Sequence, residues 1–244
     1  MSISKRQEQI LELLRENSYM TVLRLSEEIY TSPSSVRRDL ARLEALGLVK
    51  RSHGGAGILG ETGKVPPLDS RMSRNVQEKR RIAKIAATLL SDGQTVMLDG
   101  SSTAGFLVPY IARHADMTLY TNNMNTAMSA ISFGIKTNLI GGASVDFSAV
   151  LSGAASYRAV MDLTPDILFF SAQCLDADGV ISDAGEEENY LRSLMIKPAA
   201  TKVFLCDSGK FGTRETHRLV SLDEVDFAVF DTPFDKLVTK CKLL

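Results

Sequence analysis

Three observations predict an α/β protein built in two parts. Residues 1–56 carry short amphipathic helical patterns separated by tight turns. Residues 57–75 hold glycines, the Pro66-Pro67 pair and no sustained period, as a linker does. Residues 76–244 alternate short apolar runs with helical stripes, which means a sheet covered on both faces and therefore mostly parallel. The fold class is thus a small helical N-terminal domain followed by a Rossmann-like, mostly parallel α/β domain.

Composition sets broad limits. The 244 residues suffice for two domains, and 44% apolar with 23% charged residues is ordinary for a globular chain. A net charge of −1 gives the whole molecule no pull toward nucleic acid or membrane, so any such pull must be local. Cys174, Cys206 and Cys241 form no metal or redox spacing and read as reduced thiols. The opening "MSISKRQEQI" lacks the apolar core of a leader, and no apolar run reaches bilayer length. These features predict a cytoplasmic location and no membrane partner.

The first helical pattern, "SKRQEQILELLREN", puts Ile10, Leu13 and Leu14 on one stripe, with Ile3 preceding it. "YMT" is a short extended entry to a second helix, on which Val22, Leu25 and Ile29 share a face. Ser32 caps a third helix whose first position is Pro33, where a missing N–H costs nothing. Val36, Leu40 and Leu43 line its buried side, and Gly47 stops it. Leu48 and Val49 begin a short strand, and Gly54-Gly55 turn the chain.

That third helix poses the functional question. At about 100° per residue, Ser34 and Arg38 lie opposite the apolar stripe and Arg37 lies on their flank. Asp39 sits off this face, where it is expected to steady one of the two arginines. A helix preceded by another helix and a tight turn, with such a face, fits the recognition element of a helix-turn-helix. The major groove admits it, and arginine grips guanine with two parallel hydrogen bonds. Ser34 and Ser35 can bond a base or phosphate, while Lys50, Arg51 and His53 form a wing against the neighbouring backbone. Residues 1–56 hold nine Lys and Arg against seven Asp and Glu, a net +2, so charge alone supports this only weakly.

The stretch "SSVRRDLARLEALGLVKRSHGGA" closely resembles the winged helix-turn-helix signature of the DeoR family of bacterial transcription regulators. Ser35, Val36, Arg37, Arg38, Asp39 and Leu40 match it, as do Arg51, His53, Gly54, Gly55 and Ala56. The resemblance implies sequence-specific binding of double-stranded operator DNA.

The larger domain follows in order. "QEKRRIAKIAATLLSDG" sets Ile82, Ile85, Ala86 and Leu89 on a helical stripe. "TVMLDGSSTA", "MTLYTNN" and "KTNLIGGA" are strands ending in small polar turns, with helical "NTAMSAISF" between the last two. "DILFFSAQC", "TKVFLCDSGKFG" and "DFAVFDTP" are further strands, and "EEENYLRSLMIKP" is a helix. Ligands of open α/β sheets bind outside the carboxyl ends of the strands. Ser101, Ser102 and Thr103 supply donors at a strand-to-helix turn, where phosphate is favoured, and Asp99 faces a sugar hydroxyl or another polar group. Lys210 follows a fourth strand and can neutralise an anion.

This half also resembles the family's sensor domain through "DGSSTA", "YTNN", "LIGGA", Gly153, "LMIKPA" and "DSGKFG". The resemblance implies a fold like ribose phosphate isomerase. It also implies a phosphorylated sugar effector held by Asp99, Ser101, Ser102, Thr103, Asn122, Gly141, Gly142 and Lys210. The chain departs from the pattern at Ser171 and Cys174, where glycines are common, at Gly209, and near Tyr190, where an acid is usual.

The alternative is an active sugar-phosphate isomerase tethered to a DNA-binding domain. It needs a general base over the substrate, and no acidic loop of that kind is legible, since lone carboxylates such as Asp99, Asp207 and Glu186–Glu188 are mostly solvated. His53, His114 and His217 form no nucleophile–base set, and neither metal-ligand spacing nor a P-loop is present. The expectation is therefore a regulator without catalytic residues, metal or cofactor. It binds operator DNA through residues 1–56 and senses a phosphorylated metabolite through residues 76–244. It assembles as a homo-oligomer, dimer or tetramer.

Overall fold

The computed structural model describes residues 3–17, 19–46, 48–52, 55–58, 71, 72, 74–145, 148–235 and 237–244. The chain divides into two compact units, Met1–Pro66 and Pro67–Leu244.

The first unit runs α1 (Lys5–Asn17), β1 (Tyr19–Thr21), α2 (Val22–Glu28), α3 (Pro33–Ala45), β2 (Val49–Ser52) and β3 (Gly55–Ile58). The strands form an antiparallel sheet in the order β1-β3-β2, so the "YMT" entry pairs with the far strand of the wing. Ser32 Oγ accepts from Ser35 N at 3.3 Å, capping α3 ahead of Pro33 as its local sequence dictates. Thr21 Oγ1 caps α2 in the same way, accepting from Arg24 N.

Ile10, Leu14, Leu25, Val36, Leu40, Leu43 and Val49 close one apolar core. The stripe of α1 is wider than its spacing indicates. It packs against β1, β3 and α3 together, so Leu11 is buried and Leu13 only partly so. Ile29 is likewise only partly buried. β3 extends to Ile58, two residues past the expected end of this domain. The Gly47 stop, the Gly54 turn position and most of the expected linker, residues 59–70 and 73, lie outside the described residues.

The second unit is built on seven parallel strands. In chain order these are β4 (Thr95–Leu98), β5 (Thr118–Thr121), β6 (Lys136–Leu139), β9 (Ile167–Phe170), β12 (Thr201–Cys206), β14 (Phe227–Phe230) and β15 (Lys242–Leu243). Their spatial order is β15-β14-β12-β9-β4-β5-β6. The chain therefore winds outward from β4 in one direction, then restarts at β9 and winds in the other. The switch between β4 and β9 opens the crevice in which doubly wound sheets bind ligands.

Alternation along the strands feeds two cores. Val96, Leu98, Ile167, Phe169, Val203 and Leu205 pack on one face, with Ile82, Ala83 and Ala86 of α4 (Val76–Ala86). Met97, Leu168, Phe170, Phe204 and Cys206 pack on the other, with Leu191, Met195 and Ile196 of α9 (Glu186–Ile196). Between β4 and β9 lie α5 (Ser102–Gly105), α6 (Val108–Ile111), α7 (Met124–Ser132), a hairpin of β7 (Ala143–Ser144) with β8 (Leu151–Ser152), and α8 (Ala154–Met161).

A second sheet, which the sequence pattern does not show, pairs β10 (Cys174–Leu175), β11 (Val180–Asp183) and β13 (His217–Ser221) antiparallel. Gly142 is required where it stands. Its φ is +151°, and a Cβ there would meet Ser152 O at 2.3 Å. No helix among the described residues is long and apolar enough to cross a membrane.

Candidate functional site

Two places concentrate polar chemistry, one in each unit. In the first, α3 buries Val36, Leu40 and Leu43 and leaves Ser34, Arg37 and Arg38 exposed. Both guanidinium groups therefore point outward, as the helical wheel requires. Ser32 Oγ lies 3.0 Å from Ser34 Oγ and donates to Ser35 Oγ at 2.9 Å, which gathers three hydroxyls at the N-terminal turn. Arg38 Nη2 reaches Ser35 Oγ at 3.5 Å.

Asp39 does not steady Arg37 or Arg38. It is buried, and it accepts from Arg6 Nε at 2.6 Å and from Gln7 Nε2 at 3.0 Å. It thereby ties α3 to α1 and raises the Arg6 pKa, through that hydrogen bond first and its charge second. The local reading failed because Arg6 stands 33 residues away in sequence. The backbone of Lys50 and Arg51 lies in β2, on the ribbon that follows α3. His53 lies outside the described residues.

In the second unit the strand ends converge on the β4/β9 switch. Asp99 follows β4 and is 1% exposed. Its Oδ1 accepts from Ser101 N at 3.1 Å and from Ser101 Oγ, and its Oδ2 accepts from Arg192 Nε at 2.8 Å. Ser101 is the N-cap of α5, accepting from Ala104 N at 3.2 Å. So Asp99 spends its acceptors on the protein rather than facing outward, with Arg192 as the partner the sequence did not reveal. Ser102 and Thr103 are buried beside it, and Thr103 Oγ1 has no hydrogen-bond partner.

Arg192 is the hub. It is 2% exposed, reaches Asp183 Oδ2 through Nη1 at 3.2 Å, and stands 3.7 Å from Glu188 Oε2 through Nη2. Its pKa is raised, because the carboxylates of Asp99, Asp183 and Glu188 outweigh the large desolvation that opposes them. Glu188 is buried as well. Burial pushes its carboxyl upward while Arg71 and Arg192 pull it down. The expectation that Asp99, Asp207 and Glu188 are solvated is thus overturned: α9 turns Glu188 and Arg192 inward over the crevice, and Asp99 and Asp207 are both 1% exposed.

The neighbouring strand end is cationic. Lys210 Nζ donates to Ser171 Oγ at 2.9 Å and stands 3.4 Å from Asp207 Oδ2. Asn75 Nδ2 donates to Asp207 Oδ1 at 2.7 Å. Lys79 is buried, with Nζ donating to the carbonyls of Arg71 and Arg74. Desolvation first, and Lys210 second, lower its pKa from the ordinary 10.5 to about 8.

Asn122, after β5, spends Nδ2 on Leu151 O at 2.8 Å and leaves Oδ1 buried without a partner. A cavity of about 10 Å³ lies against Asp99, Gly100, Asn122 and Val150 on the strand side and against Glu188, Leu191, Arg192 and Met195 on the α9 side. Gly141 and Gly142 are exposed after β6 and do not line it. A larger hollow of about 450 Å³ opens beside His114, Thr118 and Lys136, at the amino ends of β5 and β6 and so away from the switch.

Comparison with known proteins agrees with both halves. The DeoR-like helix-turn-helix domain matches residues 6–62, and the DeoR C terminal sensor domain matches residues 74–232. The HTH-type transcriptional regulator GolR of Listeria innocua is 32% identical over 97% of this chain and 93% of its own length. The glycerol-3-phosphate regulon repressor of Escherichia coli K12 is 26% identical, over 96% of this chain and 92% of its own. Ribose 5-phosphate isomerase A of Methanocaldococcus jannaschii aligns at TM-score 0.42 and 17% identity over 56% of this chain and 55% of that one, too distant to bear on chemistry. With both domains matched in order along one chain, the protein belongs to the DeoR family of helix-turn-helix transcriptional regulators.

Proposed function

We propose that the protein is a cytoplasmic repressor whose hold on operator DNA is set by a phosphorylated sugar. The observation that carries this reading is the outward pair Arg37 and Arg38 on a helix whose opposite face is fully buried. A surface of that shape lies in the major groove, with Arg38 reading a base and Ser34, Ser35, Lys50, Arg51 and His53 on phosphate.

The effector lies at the β4/β9 crevice. Its phosphate is held by Ser101, Ser102, Thr103 and Lys210, with Asn122 near its carbon chain and Gly141 and Gly142 on the outer rim. A lysine in hydrogen-bond contact with Ser171, beside a strand end, supplies the positive charge such a group needs. The Escherichia coli relative, whose name refers to glycerol 3-phosphate, makes a phosphate ester a fitting class of ligand.

Binding alters DNA affinity only if the ligand distinguishes two arrangements of the protein. The chain just before α4 is tied to the crevice at several points, which supports such coupling. Arg71 pairs with Glu188 at 3.4 Å, Asn75 holds Asp207, and Lys79 gathers the Arg71 and Arg74 carbonyls. A ligand that shifts Glu188 or Asp207 therefore pulls on the segment leading back toward the DNA-binding unit.

The protein acts as a homo-oligomer, matching two-fold operators. Met128, Ile131 and Phe133, exposed beside the edge strand β6, support self-association. The regulator reading is favoured over an isomerase because Asp99, Asp183 and Glu188 all face guanidinium groups, which hold these carboxylates as structural partners.

The test is a fluorescence titration of the full chain against a duplex it selects from a random pool, with and without ribose 5-phosphate, glycerol 3-phosphate and glucose 6-phosphate. Selective binding that one ester weakens supports the proposal. Selective binding that no ester changes removes the effector assignment, and turnover of an ester supports the isomerase instead.

A further inference from the structure

The turn between α2 and α3 holds a residue in a backbone conformation that its type does not favour. α2 ends in two hydrogen bonds: Thr31 N donates to Ser26 O at 2.9 Å, and Tyr30 N donates to Glu27 O at 3.3 Å. This closure puts Tyr30 in the left-handed region, at φ +50°. Glycine is the usual occupant of such a position, because a Cβ is crowded there. Among the described residues, the other non-glycine residues with positive φ are Asn75 and Asp116. Both belong to the types that tolerate the region, and a bulky aromatic does not.

Packing does not offset that strain. Tyr30 is 96% exposed, and the apolar core of the first unit closes without it. A strained residue whose side chain stands free of its own fold points to a use outside the fold.

Its position indicates what that use is. The inference rests on the reading that α3 enters the major groove. In that arrangement the N-terminal turn of α3 goes in first, while the preceding helix crosses the sugar–phosphate backbone. The chain joining the two helices therefore passes the groove wall. Tyr30 stands in that passage, two residues before Ser32, the cap of α3. Tyrosine is among the side chains that bond phosphate oxygens, and its hydroxyl is a donor.

We propose that Tyr30 is a DNA-backbone contact. Its hydroxyl donates to a phosphate at the wall of the groove that α3 enters, and its ring lies along the neighbouring deoxyribose. The contact fixes how α3 is seated and carries no sequence information of its own. A phenol hydroxyl brings no positive charge, so it releases no condensed counterion, which separates it from the arginines of α3.

The experiment is fluorescence titration of the full chain as wild type, Tyr30→Phe, Tyr30→Gly and Arg37→Ala/Arg38→Ala. Each is measured against the selected duplex and single-base variants of it, at several salt concentrations. Tyr30→Phe keeps the ring and removes only the hydroxyl. It should bind every duplex about fivefold more weakly than wild type does, with the salt slope unchanged. Tyr30→Gly removes the ring as well and should bind about tenfold or more weakly. In that same variant the amides of α2 and α3 should exchange hydrogen about threefold or more slowly, because the left-handed strain is released. A residue kept for folding would move stability and affinity together, not in opposite directions. Wild-type affinity in Tyr30→Phe overturns the inference. So does a loss that varies among the base variants, which marks base readout, or one that sedimentation shows to accompany a changed oligomeric state, which marks a contact between copies of the chain. Unchanged or faster exchange in Tyr30→Gly overturns it as well. If the double arginine variant binds like wild type, the placement of α3 in the groove falls and takes the inference with it. If the double variant binds weakly while Tyr30→Phe binds like wild type, that placement stands and only the inference falls.

Discussion

The two polar sites of this protein handle arginine in opposite ways. Arg37 and Arg38 stand on the solvent face of α3, with their only described hydrogen bond the long contact from Arg38 to Ser35. Arg192 lies under α9, 2% exposed and facing three carboxylates. An exposed guanidinium keeps its fork for a partner from outside the molecule. A buried, compensated one fixes its surroundings and gives nothing away. The difference teaches how the labour is divided: the first unit displays its charges, and the second spends them on shaping a closed crevice.

The sharpest way to break that contrast is to remove the hub. Arg192→Met leaves Asp99 and Asp183 buried without a counter-charge, with Glu188 held by Arg71 alone, and should destabilise the second unit by about 3–5 kcal/mol. Urea unfolding followed by far-ultraviolet dichroism would show it, and loss of less than about 1 kcal/mol would mean the hub is dispensable. The matching change in the first unit is Leu40→Ala, at a side chain 1% exposed. It should cost about 2–4 kcal/mol through the cavity it leaves, and should lower DNA affinity while sparing the unfolding transition of the second unit. One merged shift of both transitions would contradict the independence of the two units.

A smaller effect comes from Lys79. Its folded pKa, lowered to about 8 from the ordinary 10.5, means the unfolded chain holds more protons between those values. The stability of wild type relative to Lys79→Met should therefore rise with pH across that window, by about 1–2 kcal/mol, and stay flat below it. A flat difference from pH 7 to 10.5 would show that the carbonyls of Arg71 and Arg74 keep the ammonium charged throughout. Smaller still, Lys210→Ala should weaken binding of the responsive sugar phosphate about tenfold and leave ligand-free DNA affinity unchanged. Loss of DNA affinity in that variant would tie Lys210 to the wrong unit.

The same contrast explains what the sequence could and could not reveal. Val36, Leu40 and Leu43 repeat at helical spacing, so the outward direction of Arg37 and Arg38 followed from a few adjacent residues. The parallel strands were legible too, because burial on both faces makes them continuous apolar runs such as Ile167–Phe170. Arg192 was not legible. Its link to Asp99 spans 93 residues, and Arg71 reaches Glu188 across 117. Within its own helix Arg192 looks like any surface charge, and only the winding of the sheet brings it under the switch. The strands β10, β11 and β13 escape the pattern for a related reason: β10 has two residues and closes only a short hairpin with β11, while β11 meets its other partner, β13, across α9 and β12. Asp39 shows the same limit inside the first unit, since its partner Arg6 belongs to another helix.

The most direct test of the division between displayed and committed arginines is the affinity of the full chain for its selected duplex, measured against Arg37→Ala/Arg38→Ala over a range of salt concentrations. The double variant should fold with unchanged stability, lose about a hundredfold in affinity, and show a shallower dependence on salt. Equal affinity and an equal salt slope in the two proteins would mean that the face of α3 does not meet DNA.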